Sequence, residues 1–216
     1  MKRLKRFLAI VICLLFVAAP VVSVSGTVSV QAAVNQKTQL KKIKGNYYAY
    51  EKGKKICNKW RTVKSGKNSY RYYFGKTGAA YKADSANYGK HGVLVKKIGS
   101  SYYGFDYLGH MTTGLRCGKT SMYGAPQVYY FNSKGVYDKA RTAKYRKASK
   151  MNAKASTIKK MLGKYQKRTT SSPSCFLDGN GVDVTYTYAH MELNVFRPKG
   201  KGSSAEIVES LMFRYN

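Results

Sequence analysis

The sequence predicts a mainly β protein: an N-terminal array of β-hairpin repeats, then a small α+β domain with a helix packed on an antiparallel sheet. Three observations predict it. Four tyrosine doublets, Tyr47-Tyr48, Tyr72-Tyr73, Tyr102-Tyr103 and Tyr129-Tyr130, recur at spacings of 25, 30 and 27 residues in short aromatic runs with Gly nearby. Aromatic runs broken by Gly-containing polar stretches read as strands and hairpin turns. No stretch between residues 43 and 137 carries a long 3.6-residue apolar period, whereas residues 182–195 alternate apolar and polar in steps of two.

Residues 1–33 read as a secretory signal peptide. Lys2, Arg3, Lys5 and Arg6 precede an apolar run from Phe7 to Val22, and small residues follow up to Ala32-Ala33. Cleavage is expected near Ala32 or Ala33; a retained anchor is the alternative, but the run is short for a span of ~20 residues and Pro20 interrupts it. Cys13 lacks the preceding small residue of a lipoprotein signal. The mature chain is therefore expected outside the cytoplasm, with no transmembrane span after cleavage.

Forty Lys+Arg stand against nine Asp+Glu, for a formal net charge of +31. The excess is local. Residues 34–177 hold 32 basic groups against Glu51, Asp84, Asp106 and Asp138, while residues 178–216 hold 4 basic and 5 acidic groups. Such a field concentrates polyanions within about 8 Å at physiological salt. Solubility of a Tyr-rich surface is the plainer reading of the same lysines. Twenty Tyr and eight Phe exclude a disordered basic tail.

Residues 34–140 contain the repeat. The doublets group into two longer units offset by 55 to 57 residues: Ile43 matches Ile98, Tyr47 matches Tyr102, Gly53 matches Gly109, Trp60 matches Leu115, Tyr72-Tyr73-Phe74 matches Tyr129-Tyr130-Phe131, and Gly78 matches Gly135. A lone hairpin is marginally stable, so an array buries the aromatic face of each hairpin on the next. The candidate ligand-binding aromatics are Tyr47, Tyr48, Trp60, Tyr72, Tyr73, Phe74, Tyr102, Tyr103, Tyr129, Tyr130 and Phe131, with about two thirds of the doublet tyrosines expected to be structural. Cys57 and Cys117 hold similar places in the two units; whether they pair is left open by the sequence.

The pattern Lys-Ile-x-Gly-x-Tyr-Tyr-x-Tyr-x-x-Gly over residues 42–53, with Trp60 and Tyr-Tyr-Phe-x-x-x-Gly over residues 72–78, resembles the cell-wall-binding repeats of Gram-positive surface proteins, choline- and glucan-binding modules among them. The resemblance implies a hairpin solenoid with aromatic pockets between successive hairpins, which hold choline by cation–π attraction or stack on sugar rings. The chain departs from that pattern: its units are longer than the family's roughly twenty residues, and Trp60 is the single Trp, with Leu115 in the matching place. With lysines in excess as well, the expected partner is a cell-wall polysaccharide or anionic wall polymer rather than choline.

Residues 141–155 read as a basic linker and residues 156–216 as the α+β module. Ser156 is the expected N-cap (a start near Ser149 is the alternative), Ile158, Met161, Leu162 and Tyr165 follow helical spacing, and Gly163 is placed to end the helix. Residues 169–174 read as a polar loop. A two-residue turn at Ala189-His190 would set Tyr188 opposite Met191 and put both apolar sets on one face, and a third strand is expected from Ile207. The layout resembles, more weakly, the β-lactamase-inhibitor-like fold, which implies a protein partner for this module.

No catalytic residues, metal site or cofactor are expected. Cys175 with His190 is the one thiol–imidazole candidate, and neither position supplies the helix N-terminus or cation that would activate the thiol. Residues 178–183 lack the acidic residue that closes a Ca²⁺ loop. Nucleic acid is not the expected partner of an exported chain, although Tyr interleaved with Lys could stack on single strands. The expected function is an exported, non-catalytic cell-wall-binding protein; the alternative is an extracellular protein–protein interaction module with the repeats as scaffold.

Overall fold

The computed structural model describes residues 38–118, 127–171, 174, 176 and 180–214. The signal-like segment, Cys175 and residues 178–179 lie outside the described residues. The described residues belong to one compact unit. The chain is mainly β.

All four tyrosine doublets fall on strands. In the first repeat unit, β1 (Gln39–Ile43), β2 (Asn46–Glu51) and β3 (Lys54–Lys55) form one small sheet, and β4 (Lys59–Ser65) pairs with β5 (Asn68–Phe74). In the second unit, β6 (Leu94–Ile98) pairs with β7 (Ser101–Phe105), and β8 (Gly114–Cys117) pairs with β9 (Val128–Phe131). A one-turn helix, α1 (Ser85–Tyr88), capped by Asp84, joins the units.

The repeat holds bond for bond. Ile56 N–H donates to Ala49 O at 2.8 Å and Thr112 N–H to Gly104 O at 2.9 Å; Ala80 N–H donates to Tyr47 O and Tyr137 N–H to Tyr102 O, both at 2.9 Å. Gly75 N–H to Ala79 O at 2.9 Å recurs as Asn132 N–H to Val136 O at 2.8 Å. The turns before those last two acceptors need φ of +82° at Gly78 and +79° at Gly135, a region that L side chains rarely adopt, which explains the matched glycines. Phe74 and Phe131 are both fully buried. Gly104 takes the place of Ala49 because a Cβ there would sit 2.7 Å from the Phe131 ring.

The C-terminal module is a four-stranded antiparallel sheet of β10 (Lys167–Ser171), β11 (Gly181–Thr187), β12 (Met191–Pro198) and β13 (Ile207–Phe213), in sequence order. Tyr188 N–H donates to Met191 O at 2.8 Å across the expected Ala189-His190 turn. Strand β10 takes up residues 169–171 of the expected polar loop. It is an exposed edge strand throughout, so no apolar alternation marked it.

The linker expected over residues 141–155 is corrected: α2 (Lys139–Ala148) occupies most of it, capped by Asp138, whose side chain accepts from Arg141 N–H. Its buried side is only Thr142, Tyr145 and Ala148, a stripe too narrow and too lysine-flanked to stand out in sequence. The next helix, α3 (Ala155–Leu162), starts after Lys154 with no side-chain cap, so Ser156 is not the N-cap, and it ends at Gly163 with φ +78°. Tyr165 lies beyond the helix and packs edge-on against Tyr186, with centroids 5.0 Å apart.

One core runs through Ile158, Val184, Tyr186, Leu193, Val195 and Val208 and continues into Leu115 and Val128 of the last hairpin, so the array and the module share a core. Its one buried carboxylate among the described residues, Glu206, accepts from Lys159 at 2.9 Å and from the Tyr186 hydroxyl at 3.0 Å, and pairs with Arg197. Burial by itself would raise its pKa, but these donors outweigh it and hold the carboxyl below its ordinary value.

Candidate functional site

The pairing of β4 with β5 sets Trp60 opposite Tyr73. Because strand side chains alternate, each doublet sends one ring to either face: Tyr72 turns inward while Tyr73 and Arg71 share the face of Trp60. The next hairpin brings Tyr103 and Phe105 against that face. Trp60 meets Tyr73 and Tyr103 edge-on at centroid distances of 5.2 and 4.8 Å and stacks on Phe105 at 5.8 Å. Tyr81 closes the cluster, 5.3 Å from Tyr73 and 5.8 Å from Phe105, with Lys96 5.7 Å above its ring. The guanidinium of Arg71 lies 4.3 Å over the Trp60 ring. Arg71 is itself exposed, and Trp60, Tyr73, Tyr81 and Tyr103 are partly exposed. This seam between the two units is the candidate site.

Several expected residues lie elsewhere. Tyr72, Phe74 and Phe131 are core residues and offer no face to a ligand, because the inward strand face carries the packing of each hairpin. Burial pushes the Tyr72 phenol up to about 12. Tyr47 packs on Tyr72 at 6.4 Å. Tyr48 is the repeat-equivalent of Tyr103, and Lys55 lies 5.8 Å over its ring. Tyr102 is 47% exposed. Tyr130 stacks on Tyr145 of α2 at 5.5 Å with Arg141 4.3 Å over its ring. Tyr129 lines a cleft of about 710 Å³ with Arg146, Lys150 and Glu209. The seam thus gathers Trp60, Tyr73 and Tyr103 from the expected set and adds Arg71, Tyr81 and Phe105. Register across β4 and β5 brings in Arg71, and ring packing on that face brings in Tyr81 and Phe105; the doublet pattern alone encodes neither.

A fringe of cations surrounds the rings. Lys41 lies 5.1 Å over Tyr50 and Lys42 lies 5.7 Å over Tyr47. The nearby Glu51 carboxylate accepts from Arg61 at 2.6 Å and from Thr38 at 2.9 Å. The Arg61 hydrogen bond is the main reason its pKa falls to about 2. Among the described residues no three His, Cys, Asp or Glu side chains are grouped to hold a metal, and no helix is long and apolar enough to cross a membrane. Cys57 and Cys117 are free thiols; burial pushes that of Cys117 up to about 11.

No protein-family profile matches the chain, and no curated protein matches it. Several solved structures do. The pneumococcal cell-wall endolysin from phage Cp-1, complexed with choline, is 14% identical, with a TM-score of 0.35 over 81% of this chain and 38% of that one. The wild-type Cpl-1 endolysin with a peptidoglycan analogue is 13% identical at a TM-score of 0.34 over the same shares. The autolysin LytC of Streptococcus pneumoniae is 17% identical at 0.22, over 47% of this chain and 27% of that one. The chain therefore spans well under half the length of these proteins.

Proposed function

We propose that the chain is an exported, non-catalytic protein that binds the bacterial cell wall through the seam between its two repeat units, with an anionic wall polymer as ligand. One observation carries the choice of ligand: the Arg71 guanidinium 4.3 Å over Trp60. A ring face that would hold a ligand cation is already taken by a cation of the chain itself. What remains open is the outer side of Arg71, whose planar fork suits phosphate and carboxylate oxygens. The partly exposed Tyr73 and Tyr103 rings flank it, and the surrounding lysines add long-range attraction.

The test is retention on purified walls before and after removal of anionic polymer, with free choline as competitor. The full chain is expected to bind intact walls, to bind stripped walls more weakly, and to stay bound in choline. Arg71→Gln, at an exposed position, removes the charge over Trp60 and should weaken retention on intact walls by about tenfold, the worth of one charge-assisted contact. Elution by choline with no effect of stripping would overturn the anionic ligand; no retention at all would overturn wall binding.

A further inference from the structure

The sheet of the C-terminal module ends in two unlike edges. At one, β10 is exposed throughout and carries Lys167, Arg168 and three hydroxyl residues, a charged edge that resists pairing. At the other, the second half of β13 carries Leu211, Met212 and Phe213, with Met212 51% exposed. The chain itself already pairs with the first half of that edge. Asn152 N–H donates to Val208 O at 2.7 Å, Val208 N–H donates to Ala153 O at 2.8 Å, and Lys154 bridges Ile207 in antiparallel register.

Past Val208 the edge is open. The β12–β13 register is extended by a bond from Arg214 N–H to His190 O at 3.1 Å. Antiparallel pairs alternate between bonded and non-bonded, so Ser210 and Met212 bond to β12, while the N–H and C=O of Leu211 and Phe213 point away from it. The bulge opposite Asn194 and Val195 shifts the outward positions from Val208 to Leu211. Among the described residues no backbone group outside the sheet bonds to Leu211 or Phe213. Leu211 lines the cleft of about 710 Å³, with Val128 and Arg146 contributed by β9 and α2.

The cleft has two cations. The Arg146 guanidinium is held by bonds to Val128 O at 3.2 and 2.9 Å, and Lys150 is exposed just past the end of α2. Its carboxyl, Glu209, is hydrogen-bonded to Asp183. An antiparallel strand laid on Leu211 and Phe213 would run its C-terminal end toward Glu209. There residues 152 and 153 block further pairing and Lys150 stands close by in the chain.

We infer that the open edge of β13 takes up the extended C-terminus of a partner protein as an added antiparallel strand. The backbone of Leu211 and Phe213 bonds the incoming strand, and Arg146 and Lys150 receive its terminal carboxylate. A second copy of β13 is the competing occupant. Pairing Leu211 of one copy with Phe213 of the other would bring Arg214 toward Lys150, cation against cation. The groove needs nothing from the Trp60 seam and would survive the loss of the function proposed above.

The probe is an acetylated peptide of alternating valine and threonine that ends in aspartate with a free α-carboxylate. It is titrated into the full chain and followed by NMR, with amide hydrogen exchange read before and after. In the free chain the Leu211 and Phe213 amides should exchange about tenfold or more faster than those of Ser210 and Met212. The peptide should bind saturably and slow both. N-methylation of one alternate set of its amides should abolish binding and of the other set should spare it. Amidation of the C-terminal carboxylate, and Lys150→Gln at an exposed position, should each weaken binding about tenfold. No saturable binding, or binding that survives N-methylation of either set, would overturn strand addition. Equal affinity for the amidated peptide would overturn recognition of a chain end. Slowed exchange at Leu211 and Phe213 on raising the protein concentration without peptide would give the edge to a second copy and overturn the peptide as occupant.

Discussion

Trp60 and Tyr73 in the first repeat unit correspond to Leu115 and Tyr130 in the second, yet the two faces end in different environments. The first meets another hairpin through Tyr103 and Phe105 and stays partly open. The second meets α2 and the C-terminal sheet, with Leu115 6% and Tyr145 4% exposed. Each keeps a guanidinium 4.3 Å over an aromatic ring, Arg71 over Trp60 and Arg141 over Tyr130. The exchange of Trp for Leu follows from this contrast. An indole carries an N–H and a large face suited to a half-wet groove, while an aliphatic side chain fills a sealed core with no donor to satisfy. The second seam thus ends the array, α2 standing where a further hairpin would.

If that contrast is right, truncation should separate the seams. Tyr145→Ala removes a buried ring stacked on Tyr130 and a hydroxyl that donates to Met161 O at 2.9 Å. It should cost about 3–5 kcal/mol in urea denaturation. Trp60→Ala, at a partly exposed ring, should cost less, about 1–3 kcal/mol, and should lower wall retention. Equal costs at the two positions would erase the distinction. A milder probe is exchange in place. Leu115→Trp overfills a closed site and should cost about 1–3 kcal/mol, whereas Trp60→Leu should be nearly neutral in stability and deficient in retention.

The hairpins were legible because their signals are local. A doublet followed by Gly specifies a strand and a turn, and the two-unit offset survived as matched hydrogen bonds at Ala80 and Tyr137. The alternation through Val184 and Tyr186 located β11, and the turn at Ala189-His190 fixed the parity of β12. What the sequence hid depends on partners far along the chain. Helix α2 buries so little of its surface that lysines dominate its pattern, and β10 is held by backbone pairing to β11 alone. In the candidate site, the doublets announced aromatic content but not which ring of each pair would face the groove. Tyr72 and Phe74 share one face while Tyr73 and Arg71 share the other, a division set by the packing of β5. The convergence of His91 with His190, 99 residues apart, has no sequence signature at all.

The smallest expected effect is one of pH, and it too distinguishes the two seams. A bulge between Asn194 and Val195 puts Glu209 out of simple register with β12, in the cleft with Arg146 and Lys150. Burial, and then hydrogen bonding and repulsion from the Asp183 carboxylate, raise its pKa to about 7. Asp183 is held in turn by the Ser174 hydroxyl, which donates to it. With a folded pKa above the unfolded value of 4.5, Glu209 contributes stability that is complete below about 4.5 and lost as pH rises through about 7. Glu51, at the array end, has the opposite sign: its pKa near 2 gives stability present above 4.5 and lost as pH falls toward 2. Glu209→Gln should therefore match the parent near pH 5 and exceed it by roughly 1 kcal/mol near pH 8, the gain being held down by solvent screening. Glu51→Gln should leave that range flat and lessen the loss in acid. Thermal melts from pH 3 to 8 read both slopes, and a Glu209→Gln difference that does not grow between pH 5 and 8 would show that the cleft leaves this carboxyl as ionised as it is in water.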